Sequence, residues 1–145
     1  AIKLSLKVIG VKPGDEIITT ANTFVATVEA ILEVGAKPVI VNVGKCLNMK
    51  PQDLENAITK KTKCIIPVHM LGNPARMDKI MKIAKKYKIP VIEDACQSIG
   101  ARFKNKRVGT IGDFGTFSFQ ATKSVTTGEG GMITTTKPQY HFKKL

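Results

Sequence analysis

The chain has 145 residues, 43% hydrophobic and 23% charged, which is enough apolar material for one domain with a core and argues against disorder. No apolar run approaches the roughly 20 residues that a membrane-spanning helix needs, and no signal peptide is visible. The net charge of +12 comes from 23 basic and 11 acidic residues. Arg76, Arg102 and Arg107 are the only arginines and tryptophan is absent, so the excess reads as a solvated lysine surface rather than a nucleic-acid reader.

Taken in chain order, residues 1–10 have the apolar content of a helix end, with Gly10 to terminate it. The turn Lys12-Pro13-Gly14-Asp15 precedes a short β-rich run, Glu16 to Thr20. Phe24 to Val34 has helical spacing and Gly35 closes it. Lys37 to Val43 predicts a strand. Pro51 opens a helix at a position where its missing N–H costs nothing, and Leu54, Ala57 and Ile58 supply a buried stripe. Cys64 to Val68 predicts a third strand. Ala75 to Tyr87 predicts an amphipathic helix, with Met77, Ile80, Met81, Ala84 and Tyr87 inward and Lys79, Lys82, Lys85 and Lys86 in water. Pro90 to Asp94 predicts a fourth strand. Two more, Phe114 to Phe119 and Met132 to Thr136, flank a glycine-rich loop. No repeat, low-complexity segment or interdomain linker interrupts the pattern.

Strand–helix alternation at these lengths predicts an α/β fold, a doubly wound, mainly parallel sheet with helices on both faces. In such sheets ligands gather outside the carboxyl ends of the strands. Thr20–Phe24, His69, Asp94 and Gln97 all fall at or after strand ends and are expected to converge there. The chain opens inside a helical pattern and stops soon after a strand, at His141–Leu145, so it is expected to be part of a larger protein, incomplete at both ends.

The cysteines, Cys46, Cys64 and Cys96, are odd in number and lack CxxC spacing, which favours a reducing, cytoplasmic compartment over a disulfide framework. His69 and His141 have no partners at ligand spacing, so no metal site is expected.

The chemistry centres on Lys123, between a strand end and the turn Thr126-Thr127-Gly128-Glu129-Gly130-Gly131. A lysine held against a rigid sheet can lose its proton and bond to a carbonyl. Upstream, the apolar strand Val91-Ile92 ends in Glu93-Asp94. A carboxylate at that end, facing a crevice, would keep a pyridine nitrogen protonated, so the pair points to pyridoxal phosphate (PLP). Alternatively Asp94 is a helix cap or a surface carboxylate. Glu93 points to the other side of a regular strand, so the two acids are not a catalytic pair. Ser118, at a strand end, is placed to bind phosphate or to bond its own backbone. Phe24 either stacks on a flat ligand or belongs to the core. The glycines permit close approach, but GxxxxGK[ST] is absent and this is no P-loop.

Six segments, in order, resemble the DegT/StrS-type sugar aminotransferases. They are Pro13-Gly14-Asp15-Glu16-Ile17-Ile18, Thr23-Phe24-Val25-Ala26-Thr27, Pro67-Val68-His69-Met70-Leu71-Gly72-Asn73-Pro74, Glu93-Asp94-Ala95-Cys96-Gln97, Gly112-Asp113-Phe114-Gly115-Thr116-Phe117-Ser118-Phe119, and Lys123 with the glycine turn. The resemblance covers nearly the whole chain. It implies the large domain of a fold type I PLP-dependent transferase, with residues 1–145 a partial cofactor-binding domain and the small C-terminal domain absent. It implies that Lys123 is both catalytic and the covalent anchor of PLP, that Asp94 pairs with the ring nitrogen, and that Ser118 meets the phosphate. Phe24 takes the place of the stacking ring, and Gln97 that of the polar residue near the ring hydroxyl. The lysine itself distinguishes transaminases from dehydratase relatives that carry histidine there.

The reaction so implied moves an amino group from an amino acid, usually glutamate, to a keto sugar, usually nucleotide-linked, for polysaccharide or secondary-metabolite amino sugars. Lys123 is its general acid–base. The family also implies a homodimer. Departures are the missing phosphate-binding turn before Ala1, the missing interface asparagine, and Val41-Asn42-Val43-Gly44 in place of a stretch richer in aspartate. The chain alone is therefore expected to bind cofactor weakly and turn over poorly. The competing expectations are an amino-cyclitol- or aminobenzoate-forming enzyme of the same family, a regulatory non-catalytic member, and a basic binding module.

Overall fold

The structure is a computed structural model that describes residues 1–137; His141 and the segment to Leu145 lie outside the described residues. Helix α1, Ile2–Ile9, buries Ile2, Leu6 and Val8 and ends at Gly10, whose φ of 85° lets its N–H reach the last turn. Strand β1 is Glu16–Thr20, helix α2 is Val25–Leu32, and strand β2 is Lys37–Val41. Helix α3, Pro51–Asn56, starts on its proline. Strand β3, Thr62–Ile65, leads through a 3-10 turn at Met70–Gly72 to helix α4, Met77–Tyr87. Strand β4, Ile92–Asp94, is followed by a small hairpin, β5 Arg102–Phe103 and β6 Lys106–Arg107, then β7 Phe114–Ser118 and β8 Gly131–Thr135.

Strands β2-β1-β3 pair in parallel, as do β4 and β7, while β8 runs antiparallel to β7. Parallel bridges Ile65–Val91 and Val68–Asp94 join the two groups. Alternate residues then face opposite sides. Ile17, Cys64, Ile66, Ile92 and Phe114 pack with Ile2, Leu6, Val8, Ala30 and Ile31 of α1 and α2. Ile18, Val41, Ile65 and Val91 pack with Leu54 of α3 and Met77, Ile80 and Ala84 of α4. Helices therefore cover both faces, and the parallel strands end on one side, at Thr20, Val41, Val68, Asp94 and Ser118.

Several boundaries differ from the expected ones. The β2 ladder stops at Val41 because its partner β1 stops at Thr20; Val43 instead bridges to Met49. Strand β3 begins at Thr62, and after Ile65 its path continues only as Ile66–Ile18 and Val68–Asp94 contacts, with Pro67 unable to donate. Phe24 is the extended residue before α2, not its first helical one. Tyr87, expected inward, is 40% exposed. The buried stripe of α4 ends at Ala84, and the Tyr87 hydroxyl reaches out to Glu55 of α3. Lys79, Lys82, Lys85 and Lys86 are exposed, as the pattern required. No helix among the described residues is long and apolar enough to cross a membrane.

Candidate active site

Asp94 closes β4 at the carboxyl end of the sheet and is only 5% exposed. A buried carboxylate needs donors. Its Oδ2 accepts the Thr27 hydroxyl at 2.7 Å, and its Oδ1 accepts the Cys96 N–H at 3.2 Å. The Thr27 Oγ1 lies 2.8 Å from the Thr23 Oγ1.

Phe24 sits between those threonines in sequence but faces outward, 62% exposed. This removes its core alternative. Its ring centre lies 5.6 Å from Nζ of Lys123, within range of a cation–π contact.

Lys123 comes from the loop that links β7 to β8. The Gln120 side chain accepts the N–H and hydroxyl of Thr122, and the Gln120 carbonyl accepts the Lys123 N–H at 2.9 Å. Phe119 pairs with Gly130, and its carbonyl also accepts from the Thr127 N–H and the Thr126 hydroxyl. A Cβ at Gly130 would stand 2.5 Å from the Thr127 hydroxyl oxygen, so this glycine permits the loop to fold back on itself. The Ser118 oxygen accepts a long bond, 3.4 Å, from the Gln120 N–H, which leaves its own proton to donate. Gln97 accepts the Leu71 N–H through Oε1 at 3.1 Å, leaving its amide NH₂ as donor.

A cavity of about 540 Å³ is lined by Phe24, Asp94, Gln97, Ser118 and Lys123 together, with Thr23, Thr27, Cys96, Gln120 and Glu129. That size suits a small aromatic ligand. The five residues expected to hold the cofactor therefore share one crevice, whereas Thr20 and Asn22, expected to converge there, do not line it. Thr23 and Thr27 were visible only as members of a motif; their i, i+4 spacing across a helix start was the signal that one face carries both. Burial, reinforced by the Asp94 charge, pushes the Cys96 thiol far up, while Lys123 opposes the shift. A larger hollow of about 680 Å³ lies at the other ends of the strands, but its one carboxylate, Asp113, is paired with Lys137.

His69 does not join the crevice, contrary to expectation. It is fully buried, its Nδ1 accepting the Ala75 N–H and its Nε2 donating to Glu93 at 2.9 Å. Glu93 does face away from Asp94, as the strand geometry required. Its carboxylate accepts three further N–H groups, from Gly109, Ile111 and Gly112. Burial opposes the Glu93 charge, but His69 and the amides of Gly112 and Gly109 outweigh it and hold the carboxyl below the ordinary range. The consequence is structural: the network clamps the loop before β7 and the Met70–Gly72 turn to the strand that ends in Asp94.

Known proteins share this arrangement of chain. A Geobacillus stearothermophilus pleiotropic regulatory protein is 50% identical over 137 residues, 93% of this chain and 37% of its own. The GDP-perosamine synthase of Caulobacter vibrioides is 43% identical, over 93% of this chain and 37% of its own. The aminotransferase from Psychrobacter cryohalolentis superposes with a TM-score of 0.94 at 39% identity, covering 99% of this chain and 37% of that one. A Streptococcus pneumoniae sugar aminotransferase in its PLP form gives 0.93 at 34% identity, covering 99% and 42%. The chain thus spans about two-fifths of the length of these relatives. The DegT/DnrJ/EryC1/StrS aminotransferase family matches residues 1–144, which include the crevice and every residue that lines it, and the chain belongs to that family.

Proposed function

We propose that this chain is the cofactor-binding part of a PLP-dependent sugar aminotransferase, built on the doubly wound large domain of fold type I. The carrying observation is that Lys123 Nζ stands over Phe24 in the same cavity as the buried Asp94 carboxylate. The residues present fit the cofactor: an amine for its aldehyde, a carboxylate for its ring nitrogen, an aromatic face for its ring, and a free hydroxyl proton for its phosphate. A cavity of about 540 Å³ has room for it.

In this reading Lys123 would hold the cofactor's aldehyde, and its Nζ would be the base that moves the proton. Asp94, with a donor on each oxygen, would face the ring nitrogen. Phe24 would cover the ring, Ser118 Oγ would donate to the phosphate, and the Gln97 NH₂ would serve the ring hydroxyl. When bound, the cofactor would supply an electron sink for bond breaking at the donor carbon. The amino group comes from an amino acid, with glutamate the expected donor, and goes to a nucleotide-linked keto sugar; the GDP-perosamine synthase relative supports that acceptor class. Homodimeric assembly and a cytoplasmic setting, consistent with three free cysteines, complete the proposal.

The regulatory name of the Geobacillus relative favours a second reading, a non-catalytic member. A half-reaction separates them. Protein loaded with PLP and given glutamate should release 2-oxoglutarate slowly, up to one equivalent per bound cofactor; no release even on prolonged incubation, with binding intact, would favour the regulatory reading.

A further inference from the structure

The Thr23-Phe24-Val25-Ala26-Thr27 motif contributes more than its aromatic ring. Thr27 is 1% exposed and stands in the first turn of α2 against Asp94. A hydroxyl has one proton, and a carboxylate accepts only, so the 2.7 Å bond commits the Thr27 proton to Asp94 Oδ2. The 2.8 Å contact between Thr23 and Thr27 must then run the other way, with Thr23 donating. Two hydroxyls in series therefore point at one carboxylate oxygen. The Cys96 N–H serves the other oxygen, while the Cys96 thiol turns to the Thr116 carbonyl at 3.7 Å. In a buried site such a donor chain strengthens along its length.

We propose that Thr27 is a positioning residue, polarised by Thr23, that fixes the rotamer of Asp94 toward the cofactor ring. This rests on the cofactor reading above. Because Phe24 precedes the same helix, the start of α2 sets two sides of the crevice at once: the ring beside Lys123 and the carboxylate at its floor. A threonine that only filled space would be replaced by valine without consequence for Asp94.

The test is a cycle of Thr27→Val, Thr27→Ser, Asp94→Asn and the Thr27→Val/Asp94→Asn double variant. The first readout is affinity for pyridoxamine 5′-phosphate, which cannot bond to Lys123, measured by its fluorescence. The second is the ¹³C shift of the Asp94 side-chain carboxyl in ligand-free protein at neutral pH. Thr27→Val should weaken binding about tenfold, the worth of one charged hydrogen bond. Thr27→Ser should restore most of that loss. In the Asp94→Asn background, Thr27→Val should cost no more than about twofold, because its partner is already changed. The carboxyl signal should move in Thr27→Val and return in Thr27→Ser. Losses that multiply in the double variant, or a carboxyl signal unmoved by Thr27→Val, would overturn the proposal. If the unmodified protein bound no pyridoxamine phosphate, the cofactor reading would fall, and the carboxyl signal would still decide the role of Thr27.

Discussion

Replacing Glu93 by glutamine would probe how much of the fold hangs on one buried charge. Its Oε1 accepts the Ile111 and Gly112 amides at 2.6 and 2.7 Å, and its Oε2 accepts Gly109 N–H and His69 Nε2–H at 2.9 Å each. Whichever way the new amide turns, its NH₂ faces two donors and leaves both unpaired in the interior. A hydrogen bond to a charged group contributes about 1.5–3 kcal/mol, and an orphaned buried donor costs about 1–3 kcal/mol. These terms overlap, so we take about 2–6 kcal/mol, two orphaned donors at about 1–3 kcal/mol each. Against a typical total of about 5–15 kcal/mol that is a large fraction. Urea unfolding at pH 7 measures it, with the midpoint falling and the slope retained. Amide exchange at Gly109, Ile111 and Gly112 should quicken in the variant. A loss below about 1 kcal/mol, with those amides still protected, would show that Glu93 does not hold this loop.

Glu93 has its carboxyl held below the ordinary range, so the unfolded chain binds more protons than the folded one in that window. Its contribution is therefore present above the unfolded value of about 4.3 and lost as pH falls through the lower folded value. Urea midpoints taken from pH 7 down to pH 3 should show the gap between the native protein and Glu93→Gln narrowing only toward the acid end; a gap independent of pH would contradict this. Among the cysteines, Cys46 is exposed, whereas burial pushes the thiols of Cys64 and Cys96 far up. Alkylation at pH 8 followed by mass mapping should modify Cys46 first and Cys96 slowly, although Cys96 lines the cavity; equal rates would show that Cys96 is not held as described.

Much of the site was legible because it lies in short runs whose chemistry does not depend on long-range packing. Asp94 had to face a crevice because it ends an apolar strand, and Lys123 had to lie near it if that strand and Phe114–Ser118 were neighbours. They pair in register, Asp94 opposite Thr116. What sequence alone could not show was where the isolated polar groups would go. His69 looked like a crevice residue because it follows a strand, but its partner Glu93 is 24 positions away and reaches it only once the strands align. Thr27 looked like an ordinary helix residue because its partner, Asp94, is 67 positions away. Tyr87 followed the apolar period of α4 but lay past the end of its buried stripe, where a hydroxyl gains more from Glu55 and water than from the core. The hairpin at Arg102–Arg107 carries no period-2 signal in two-residue strands, and was invisible for that reason.

In the proposed function Lys123 is the cofactor's covalent partner. Incubating the protein with PLP, reducing with borohydride and mapping the modified peptide tests it most directly. One stable adduct is expected, on Lys123, that disappears in Lys123→Ala and weakens in Asp94→Asn. Adducts scattered over the surface lysines, with Lys123 no more modified than Lys79 or Lys85, would contradict it.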